Sequence, residues 1–413
     1  MTGLVTACRA CGGRLAVTMA DLGLQPASNA YLLSLEAAHE EKRYPLRAKV
    51  CESCKLVQVD YDVAPQELFG NYAYFSSYSD GWLAHAKEYC VMARRRFGLG
   101  PESLVVELAS NDGYLLKNFI DMGVPVLGID PSDTVAAAAE KIGVPTLVEF
   151  FGERLAEDLA GAGRQADLII GNNVLAHVPV LNDFVAGIAR LLKPKGSATM
   201  EFPHLLELIE HVEFDTIYHE HYSYISLFAI EQVFSRHGLR LYDVEQLPTH
   251  GGSLRIFAAH SARKDLEDSA SLRKLRALES AAGLADLATY ARFAERVEEC
   301  RRSLLAFLAA ARREGKTVAA YGAAAKGNTL LNFCAVTPAD IPQVADRNPH
   351  KQSKFLPGTH IPVTSPEALM QARPDYVLIL PWNLQAEIRV QLQGIEEWGG
   401  RFVTPVPVVR VYP

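Results

Sequence analysis

Two Cys-x-x-Cys pairs constrain the N-terminal part of this chain more tightly than any other feature. The first pair is Cys8 and Cys11, the second is Cys51 and Cys54, and Gly12 follows the first pair directly. Zinc prefers four thiolates in tetrahedral geometry, and each pair can turn two sulfurs toward one ion. The spacing therefore predicts one Zn²⁺ bound by all four cysteines. Because four protein ligands close the coordination, the site is predicted to be structural; the alternative, four buried free thiols, is disfavoured by the matched pairs.

The size and charge of the chain restrict its class. Its 413 residues exceed the size at which one core stops growing, so two or three domains are expected. Seven cysteines are too few for a disulfide framework, which favours a reducing compartment. A net charge of −7 without a long Lys/Arg run argues against a general nucleic-acid surface. Lacking a membrane-length apolar stretch or a signal-peptide core, the protein is expected to be cytoplasmic, with no membrane partner.

Strands and helices alternate through the middle of the chain. Strands are predicted at 104–108, 126–130, 167–170 and 197–202, and helices at 81–97, 114–122, 134–142 and 183–192. This alternation predicts a parallel sheet with helices on both faces. Residues 269–314 contain no proline and place apolar residues at helical spacing, which predicts a connector of one or two helices. A second α/β pattern begins with a strand at 317–322 and returns at 376–380.

The turn after the first strand of this sheet carries the candidate cofactor residues. Ligands of open α/β sheets bind beyond the carboxyl ends of the strands. The common methyltransferase pattern has an acid and then glycines at alternate positions. Glu107 takes the acid place, Ala109 and Asn111 replace two glycines, and Gly113 remains, while Asp130 ends the next strand where an acid usually binds a ribose diol. The absence of Gly-x-Gly-x-x-Gly disfavours a dinucleotide and favours S-adenosylmethionine; an ordinary strand-to-helix turn is the alternative.

Two polar stretches are unusual for structural segments. Asn172, Asn173 and His177 follow the strand at 167–170, and therefore lie at the same carboxyl edge as the cofactor turn. Residues 218–222 read Tyr-His-Glu-His-Tyr, a set that is costly to bury unless its members are paired or used. His219 alternates with its neighbours on an extended stretch, so it is predicted to face away from them. The same alternation disfavours a metal site here.

At this point the chain resembles the nucleotide-sugar C-methyltransferases of deoxysugar biosynthesis, many of which act at C-3. The shared motifs run in order along nearly the whole chain: the paired Cys-x-x-Cys turns, Glu-Leu-Ala-Ser-Asn-Asp-Gly, Asn-Asn-Val-Leu-Ala-His-Val-Pro, Tyr-His-Glu-His-Tyr-Ser-Tyr, His-Gly-Gly-Ser-Leu-Arg and Tyr-Gly-Ala-Ala-Ala-Lys-Gly-Asn. The resemblance implies that Tyr72, His177, Tyr218, Glu220 and His221 surround the sugar ring, with His221 as the base.

The chemistry of such a reaction agrees with these residue types. A hydrogen next to a ketone is acidic only when the developing enolate is stabilised, and His has a pKa suited to removing it. Glu220 would orient His221 or the sugar, and Tyr218 and His177 would polarise the ketone or bind a hydroxyl. Tyr72 would close the pocket, although plain aromatic packing is an alternative for it. The enolate carbon would then attack the methyl group of the sulfonium donor in line.

The tail domain offers a candidate site for the substrate nucleotide. Its loop at 321–328 follows a strand and opens a helix, which suits an anion such as a diphosphate. Six residues are predicted to contact the substrate: Ser253, Arg255, Lys326, Asn328, Arg347 and Lys351. The alternative is that this domain is an interface or a decayed dinucleotide fold.

The sequence thus predicts an α/β protein of four parts: a zinc-binding module (1–70), a doubly wound S-adenosylmethionine-binding methyltransferase domain (71–262), a helical connector (263–315) and a Rossmann-like, sugar-nucleotide-binding α/β domain (316–413). The predicted activity is C-methylation of a (d)TDP-linked 4-keto-deoxysugar in deoxysugar or antibiotic biosynthesis, with S-adenosylmethionine and structural Zn²⁺ as cofactors. C-3 and C-5 both stay open, as do monomer and homodimer. The alternatives are an O- or N-methyltransferase acting on another small acceptor and a zinc-ribbon RNA-modifying or RNA-binding protein, the latter disfavoured by the acidic charge.

Overall fold

The N-terminal module is built on a small antiparallel sheet. The computed structural model describes residues 2–64, 68, 76–78 and 80–412. The strands of the module are β1 (Gly3–Leu4), β2 (Leu15–Gln25), β3 (Tyr44–Cys51), β4 (Val57–Val59) and β5 (Tyr61–Asp62). β1 pairs with β5, while a four-stranded sheet has the order β11-β4-β3-β2, where β11 is Ser223–Tyr224 from far along the chain. The sheet of the zinc-binding module is therefore completed by a strand from the middle of the protein.

The central sheet has seven strands in the order β12-β13-β10-β9-β6-β7-β8. They are β6 (Val105–Leu108), β7 (Val126–Ile129), β8 (Thr146–Leu147), β9 (Ala166–Asn172), β10 (Leu192–Pro203), β12 (Leu239–Leu247) and β13 (Ser253–His260). The first five are parallel, as predicted, but β13 is antiparallel to both β10 and β12. A short turn joins β12 to β13, and such a turn allows only antiparallel pairing because parallel strands need a crossover. The sheet is therefore mixed.

The helices of this part cover the sheet as its alternating pattern predicts. They are α1 (Asp80–Phe97), α2 (Leu116–Asp121), α3 (Asp133–Lys141), α4 (Glu153–Gly161), α5 (Leu181–Leu191), α6 (Leu205–His211) and α7 (Leu227–Arg236). The sequence analysis did not predict strands β8, β12 and β13 or helices α4, α6 and α7. Short 3-10 helices occupy Glu36–Glu40, Ser76–Tyr78, Leu175–His177, Phe214–Thr216, Thr249–Gly251, Trp382–Leu384 and Gln393–Trp398.

The connector contains three helices instead of the one or two predicted: α8 (Ala270–Ala281), α9 (Leu287–Ala291) and α10 (Phe293–Arg313). Gly283 interrupts the first with a φ of 77°, and the Asp286 side chain then caps α9 by accepting the Ala288 N–H. A six-stranded sheet of order β16-β15-β14-β17-β18-β19 follows. Its strands are β14 (Val318–Tyr321), β15 (Val344–Ala345), β16 (Val363–Thr364), β17 (Tyr376–Ile379), β18 (Arg401–Thr404) and β19 (Arg410–Tyr412), with helices α11 (Ala325–Phe333), α12 (Pro366–Ala372) and α13 (Gln385–Gln391).

Two apolar cores cross the predicted domain boundaries. One joins the small N-terminal sheet to α6, α10 and the C-terminal sheet. The other joins the central sheet, α5 and α7 to the cysteine turns. The boundaries at 70, 262 and 315 stay predictions, and the predicted modules share buried apolar residues across them. Of the helices that the structure describes, none is both long and apolar enough to cross a membrane.

Candidate active site

The predicted zinc ligands converge on one point. Their Sγ atoms all lie within 4.8 Å of one another: Cys8, Cys11, Cys51 and Cys54. The closest pairs are Cys8–Cys54 at 3.5 Å and Cys11–Cys51 at 3.3 Å. Tetrahedral Zn²⁺ with Zn–S bonds of about 2.3 Å places its sulfurs about 3.8 Å apart, so the cluster fits the ion with little adjustment. The same turn is used twice, since the Gly12 N–H donates to the Cys8 carbonyl and the Lys55 N–H to the Cys51 carbonyl.

The cofactor turn has a left-handed backbone, although two of its three alternate positions are not glycine. Ala109, Asn111 and Gly113 have φ values of 55°, 50° and 77°, so all three alternate positions are left-handed. Only Gly113 has no room for a side chain, because a Cβ there would lie 2.9 Å from the Val144 side chain. The Asp130 carboxylate accepts the Asn111 N–H at 2.9 Å. The acid at the end of β7 thus fixes the turn that follows β6.

Polar atoms without protein partners collect at this edge of the sheet. Among the residues that the structure describes, Oε2 of Glu107, both amide atoms of Asn172 and Oδ1 of Asn173 are buried without a hydrogen-bond partner. Burial, reinforced by the nearby Asp130, raises the pKa of Glu107 well above its usual range. Buried polar groups almost always have a hydrogen-bond partner, so several buried polar atoms without one indicate that a polar ligand binds here. The donor and acceptor set fits the amino acid and ribose groups of S-adenosylmethionine.

Three aromatic side chains form a cluster next to this edge. The His221 ring lies 4.0 Å from the Tyr218 ring and 4.7 Å from the His177 ring, measured between centroids. Nδ1 of His221 is 2.9 Å from the carbonyl oxygen of Thr216. A carbonyl can only accept, so Nδ1 carries the proton and Nε2 keeps its lone pair. The backbone therefore fixes the tautomer in which Nε2 can act as a base.

The electrostatic environment keeps both histidines neutral. Burial lowers the pKa of His221 well below its usual value, and the neighbouring His177 lowers it further. Burial likewise lowers the pKa of His177 to about 4. Glu220, only 3% exposed, has its pKa raised to about 7 by burial, although the Asn29 amide donates to its Oε1 at 2.6 Å. Near neutral pH the site thus offers a neutral imidazole and a carboxyl group that can hold or release a proton.

His219 faces away from this cluster, as predicted. Its Nε2 is 3.3 Å from the Pro45 carbonyl oxygen, and its ring meets the Tyr44 ring edge-on at 5.8 Å. The reason differs from the predicted one, because residues 217–222 form turns and no strand. Within the described part of the chain, the cysteine cluster is the one group of His, Cys, Asp and Glu suited to a metal. Tyr72, predicted to close the pocket, lies outside the described residues.

Both polar stretches are braced by the zinc-binding module. Directly after residue 222, β11 pairs with β4, with Ser223 opposite Gln58 and Tyr224 opposite Val57. The Arg9 guanidinium donates to the Pro179 carbonyl at 3.2 Å and lies 5.2 Å from the Tyr222 ring centroid. Arg9 stands between the first two cysteines. The cysteine turn therefore contacts the segment after His177 and the residue after His221.

Three of the predicted substrate residues are buried and already bonded to other groups of the protein. Ser253 is 2% exposed and donates to the Thr249 carbonyl, and Asn328 is 1% exposed and donates to the Ser28 carbonyl at 2.5 Å. Arg255 is 4% exposed and forms ion pairs with Glu201 at 2.7 Å and Glu245 at 2.9 Å. A substrate contact through these donor atoms would compete with these bonds, whereas Oδ1 of Asn328 and Nε of Arg255 are buried without a hydrogen-bond partner among the described residues. The sequence did not predict these bonds, because the partners lie on other strands and loops.

The predicted basic residues of the tail domain differ in their surroundings. Nζ of Lys326 donates to the Asn383 side chain at 2.8 Å and lies 4.5 Å from the Trp382 ring centroid. Enclosure by protein lowers the pKa of Lys326, an effect that the nearby Asp215 and Glu213 partly offset. Lys326 thus already has counterions and acts on the histidine cluster, since its charge contributes to lowering the pKa of His221.

The remaining two basic residues lie beyond β15. Nζ of Lys351 donates to the Ala323 carbonyl at 2.7 Å and lies 3.7 Å from Asp346. Arg347 is exposed. Both follow the carboxyl end of β15 and flank the loop at 321–328, the arrangement that the sequence predicted.

The sequence analysis did not predict a second aromatic group, formed by Trp82, His85 and His250, beside the cluster of His177, Tyr218 and His221. The Trp82 ring stacks on His85 at 5.0 Å and meets His250 edge-on at 5.3 Å, while Nε2 of His85 is 2.9 Å from Glu201. His250 has a φ of 57°, unusual for a residue other than glycine, and is exposed. Its charge state affects the pKa of His177 and His221. The His-Gly-Gly turn was the available signal, because its glycines let the backbone pass close to the Glu213 and Trp382 side chains.

A mixed seven-stranded sheet with a left-handed turn, an acid after the second strand and polar orphans at one edge defines an S-adenosylmethionine-dependent methyltransferase. Comparison with known families agrees: residues 82–244 match a methyltransferase domain, 8–69 a zinc-binding domain and 248–407 a C-methyltransferase C-terminal domain. The chain is 36% identical to the C-methyltransferase NovU of Streptomyces niveus over 404 residues, covering 98% of this chain and 96% of NovU. This protein therefore belongs to the C-methyltransferase family.

More distant similarities cover only part of the chain. A ubiquinone biosynthesis O-methyltransferase of Mesorhizobium japonicum is 28% identical over 109 residues, 24% of this chain and 44% of that enzyme. The structure of the PH0226 protein from Pyrococcus horikoshii OT3 superposes with a TM-score of 0.39 at 16% identity, covering 48% of this chain and all (100%) of that one.

Proposed function

We propose that this protein transfers a methyl group from S-adenosylmethionine to a ring carbon next to the ketone of a nucleotide-linked 4-keto-deoxysugar. The observation that carries the proposal is the His221 imidazole, whose Nδ1 is held by the Thr216 carbonyl at 2.9 Å. Methyl transfer to oxygen or nitrogen needs no base able to remove a proton from carbon. A neutral imidazole whose Nε2 has no hydrogen-bond partner among the described residues, packed against a Tyr and a second His, fits carbon-acid chemistry.

His221 begins the reaction in this account. Its Nε2 accepts the proton from the carbon next to the ketone, and the Thr216 carbonyl stabilises the Nδ1–H of the resulting imidazolium. The rings of Tyr218 and His177 both contact His221, which places them near the reacting carbon. In this proposal they polarise the ketone or hold a hydroxyl of the sugar. Because the pKa of His221 is low, the imidazolium then releases its proton to solvent and the neutral imidazole is restored for another turnover.

The methyl group comes from the sulfonium of S-adenosylmethionine, for which the turn at residues 107–113 and Asp130 provide the contacts. The enolate carbon of the sugar, once formed, is the nucleophile. Orientation supplies much of the acceleration, since both reactants are held at the same edge of the central sheet. In this proposal Glu220 orients His221 or the sugar, and Tyr72 closes the pocket.

The nucleotide is proposed to bind at the loop of residues 321–328. This segment runs from the end of β14 into the first turn of α11, and Arg347 and Lys351 follow the adjacent strand β15. Backbone N–H groups at a helix N-terminus and two basic side chains suit a diphosphate. Lys326 lies beside Trp382 and Asn383, and Lys351 donates to the Ala323 carbonyl, so a bound phosphate would compete with these contacts.

The proposal is tested by turnover with methyl-labelled S-adenosylmethionine. Each 4-keto-deoxysugar nucleotide of a panel is paired with the same sugar reduced to the 4-hydroxy form, and transferred label is counted by mass spectrometry. We expect transfer to at least one ketone and none to its alcohol. Equal transfer to both members of a pair would favour O-methylation, and transfer to neither would reject the substrate class.

A further inference from the structure

The loop of residues 28–31, between β2 and β3, lies where the three modules meet. The Tyr31 hydroxyl donates to the Ala323 carbonyl at 2.5 Å, and the Ser28 carbonyl accepts the Asn328 amide at 2.5 Å. Both contacts are to the C-terminal domain, at the loop and first turn of α11. This segment of the zinc-binding module is thereby held against the loop proposed to bind the nucleotide.

Between these two anchors, Asn29 turns toward the catalytic cluster. Its Nδ2 donates to Oε1 of Glu220 at 2.6 Å, which is the one hydrogen bond to that carboxyl group made by a side chain of the described residues. Glu220 itself is 3% exposed. A carboxyl so enclosed has few other donors, so a single amide decides much about its orientation and charge.

We propose that Asn29 is a positioning residue of the active site, through which the zinc-binding module holds the Glu220 carboxyl group in its working orientation and ionised form. The role of Glu220 in catalysis rests on the proposed function. The hydrogen bond itself does not, since it follows from the contact between the two side chains.

The physical effect of Asn29 has a definite direction. A neutral amide N–H stabilises a carboxylate more than a carboxylic acid, so it opposes the burial that raises the pKa of Glu220 to about 7. Removing the donor in Asn29→Ala raises this pKa further. The isosteric Asn29→Asp replaces the donor by a second acid and raises it most, because two neighbouring carboxyl groups resist joint ionisation.

These variants are expected to fold. The Asn29 side chain is exposed on its other face, and the turn around it depends on backbone bonds, from the Ala30 N–H to Ala27 and from the Tyr31 N–H to the Asn29 carbonyl. The matched control is Tyr31→Phe, which removes a bond of the same loop to Ala323 and leaves the Glu220 bond untouched.

The test is a ¹³C NMR titration of glutamate carboxyl groups in the full-length, zinc-loaded protein. The Glu220 signal is the one that disappears in Glu220→Gln. We expect its midpoint to rise by about one unit in Asn29→Asp, a tenfold change in proton affinity, by less in Asn29→Ala, and not at all in Tyr31→Phe. An unchanged midpoint in Asn29→Asp, or an equal rise in Tyr31→Phe, overturns the proposal.

The pH profile of kcat provides the second measurement. We expect the profile of Asn29→Asp to move to higher pH by the same amount as the Glu220 midpoint. A loss of kcat at every pH without such a shift would indicate a merely structural role and contradict the proposal. Should the parent protein transfer no methyl group to keto sugars, the proposed function fails, while the titration still decides whether Asn29 controls Glu220.

Discussion

Replacing His221 with Asn separates the proposed base from the contact that orients it. The amide nitrogen of Asn takes the place of Nδ1 of His, so the bond to the Thr216 carbonyl, 2.9 Å in the parent, can persist. The substitution deletes Nε2, the atom assigned to remove the proton from carbon. The fold loses no hydrogen bond that the structure shows, and the change therefore acts on chemistry.

The expected loss follows from what a positioned base contributes. General base catalysis typically supplies a factor of about 10² to 10⁴, or roughly 2.7 to 5.5 kcal/mol of transition-state stabilisation. Because burial lowers the pKa of His221, the imidazole is already neutral across the neutral range. We therefore expect ionisation of His221 itself to cause no change in the rate of proton removal above that low value, so that any change with pH near neutrality follows Glu220. The loss in His221→Asn is expected at every pH in this range.

The assay is hydrogen–deuterium exchange at the carbon next to the ketone, followed by NMR in D₂O with S-adenosylhomocysteine in place of the methyl donor. Exchange reports the first step alone. His219→Asn is the matched control, since this histidine lies two positions away and faces Pro45. The reasoning is refuted if His221→Asn exchanges at the parental rate, or if His219→Asn loses as much.

Three further predictions concern the cofactor sites. Cys51→Ser should lose zinc, measured by atomic emission, and methyl transfer together, because the strand after the second cysteine pair, β4, pairs with β11 directly after the stretch that carries the proposed base; activity without zinc would contradict this. Gly113→Ala should lower the free energy of unfolding in urea by about 1–3 kcal/mol, since its Cβ would lie 2.9 Å from Val144 and its φ is 77°; unaltered stability would contradict it. Asp130→Asn should weaken S-adenosylmethionine binding at least about tenfold by calorimetry, because an amide has one acceptor where Asp130 offers two; unchanged affinity would remove Asp130 from the site.

The parts of the fold that were predicted are those that the sequence encodes locally. Every residue of β6 and β7 is buried, and all of them except Glu107 are apolar or glycine, which is how a strand covered on both faces is recognised. The cysteine cluster was predicted because the Cys-x-x-Cys spacing alone brings two sulfurs of each pair to the same side of a turn. Left-handed φ at Ala109 and Asn111 agrees with their place in a motif that normally has glycine, although Ala alone gives no such signal.

The parts that were missed depend on distant partners. β13 is buried along nearly its whole length but contains Arg255, which is tolerable only because Glu201 and Glu245 pair with it. β11 has two residues, and its partner β4 lies more than 160 positions earlier, so no periodicity reveals it. Asn29 stands in no motif. Its contact with Glu220 arises from the packing of the module as a whole.

In the proposed reaction the methyl group is delivered to the carbon beside a ketone. This delivery is tested most directly with ¹³C-methyl S-adenosylmethionine and a keto-sugar nucleotide that turns over, by a two-dimensional carbon–proton correlation of the product. We predict that the labelled methyl couples to the ring carbon adjacent to the keto group and to that group's carbonyl carbon. A methyl signal attached to oxygen or nitrogen, or to a ring carbon remote from the ketone, would contradict the account.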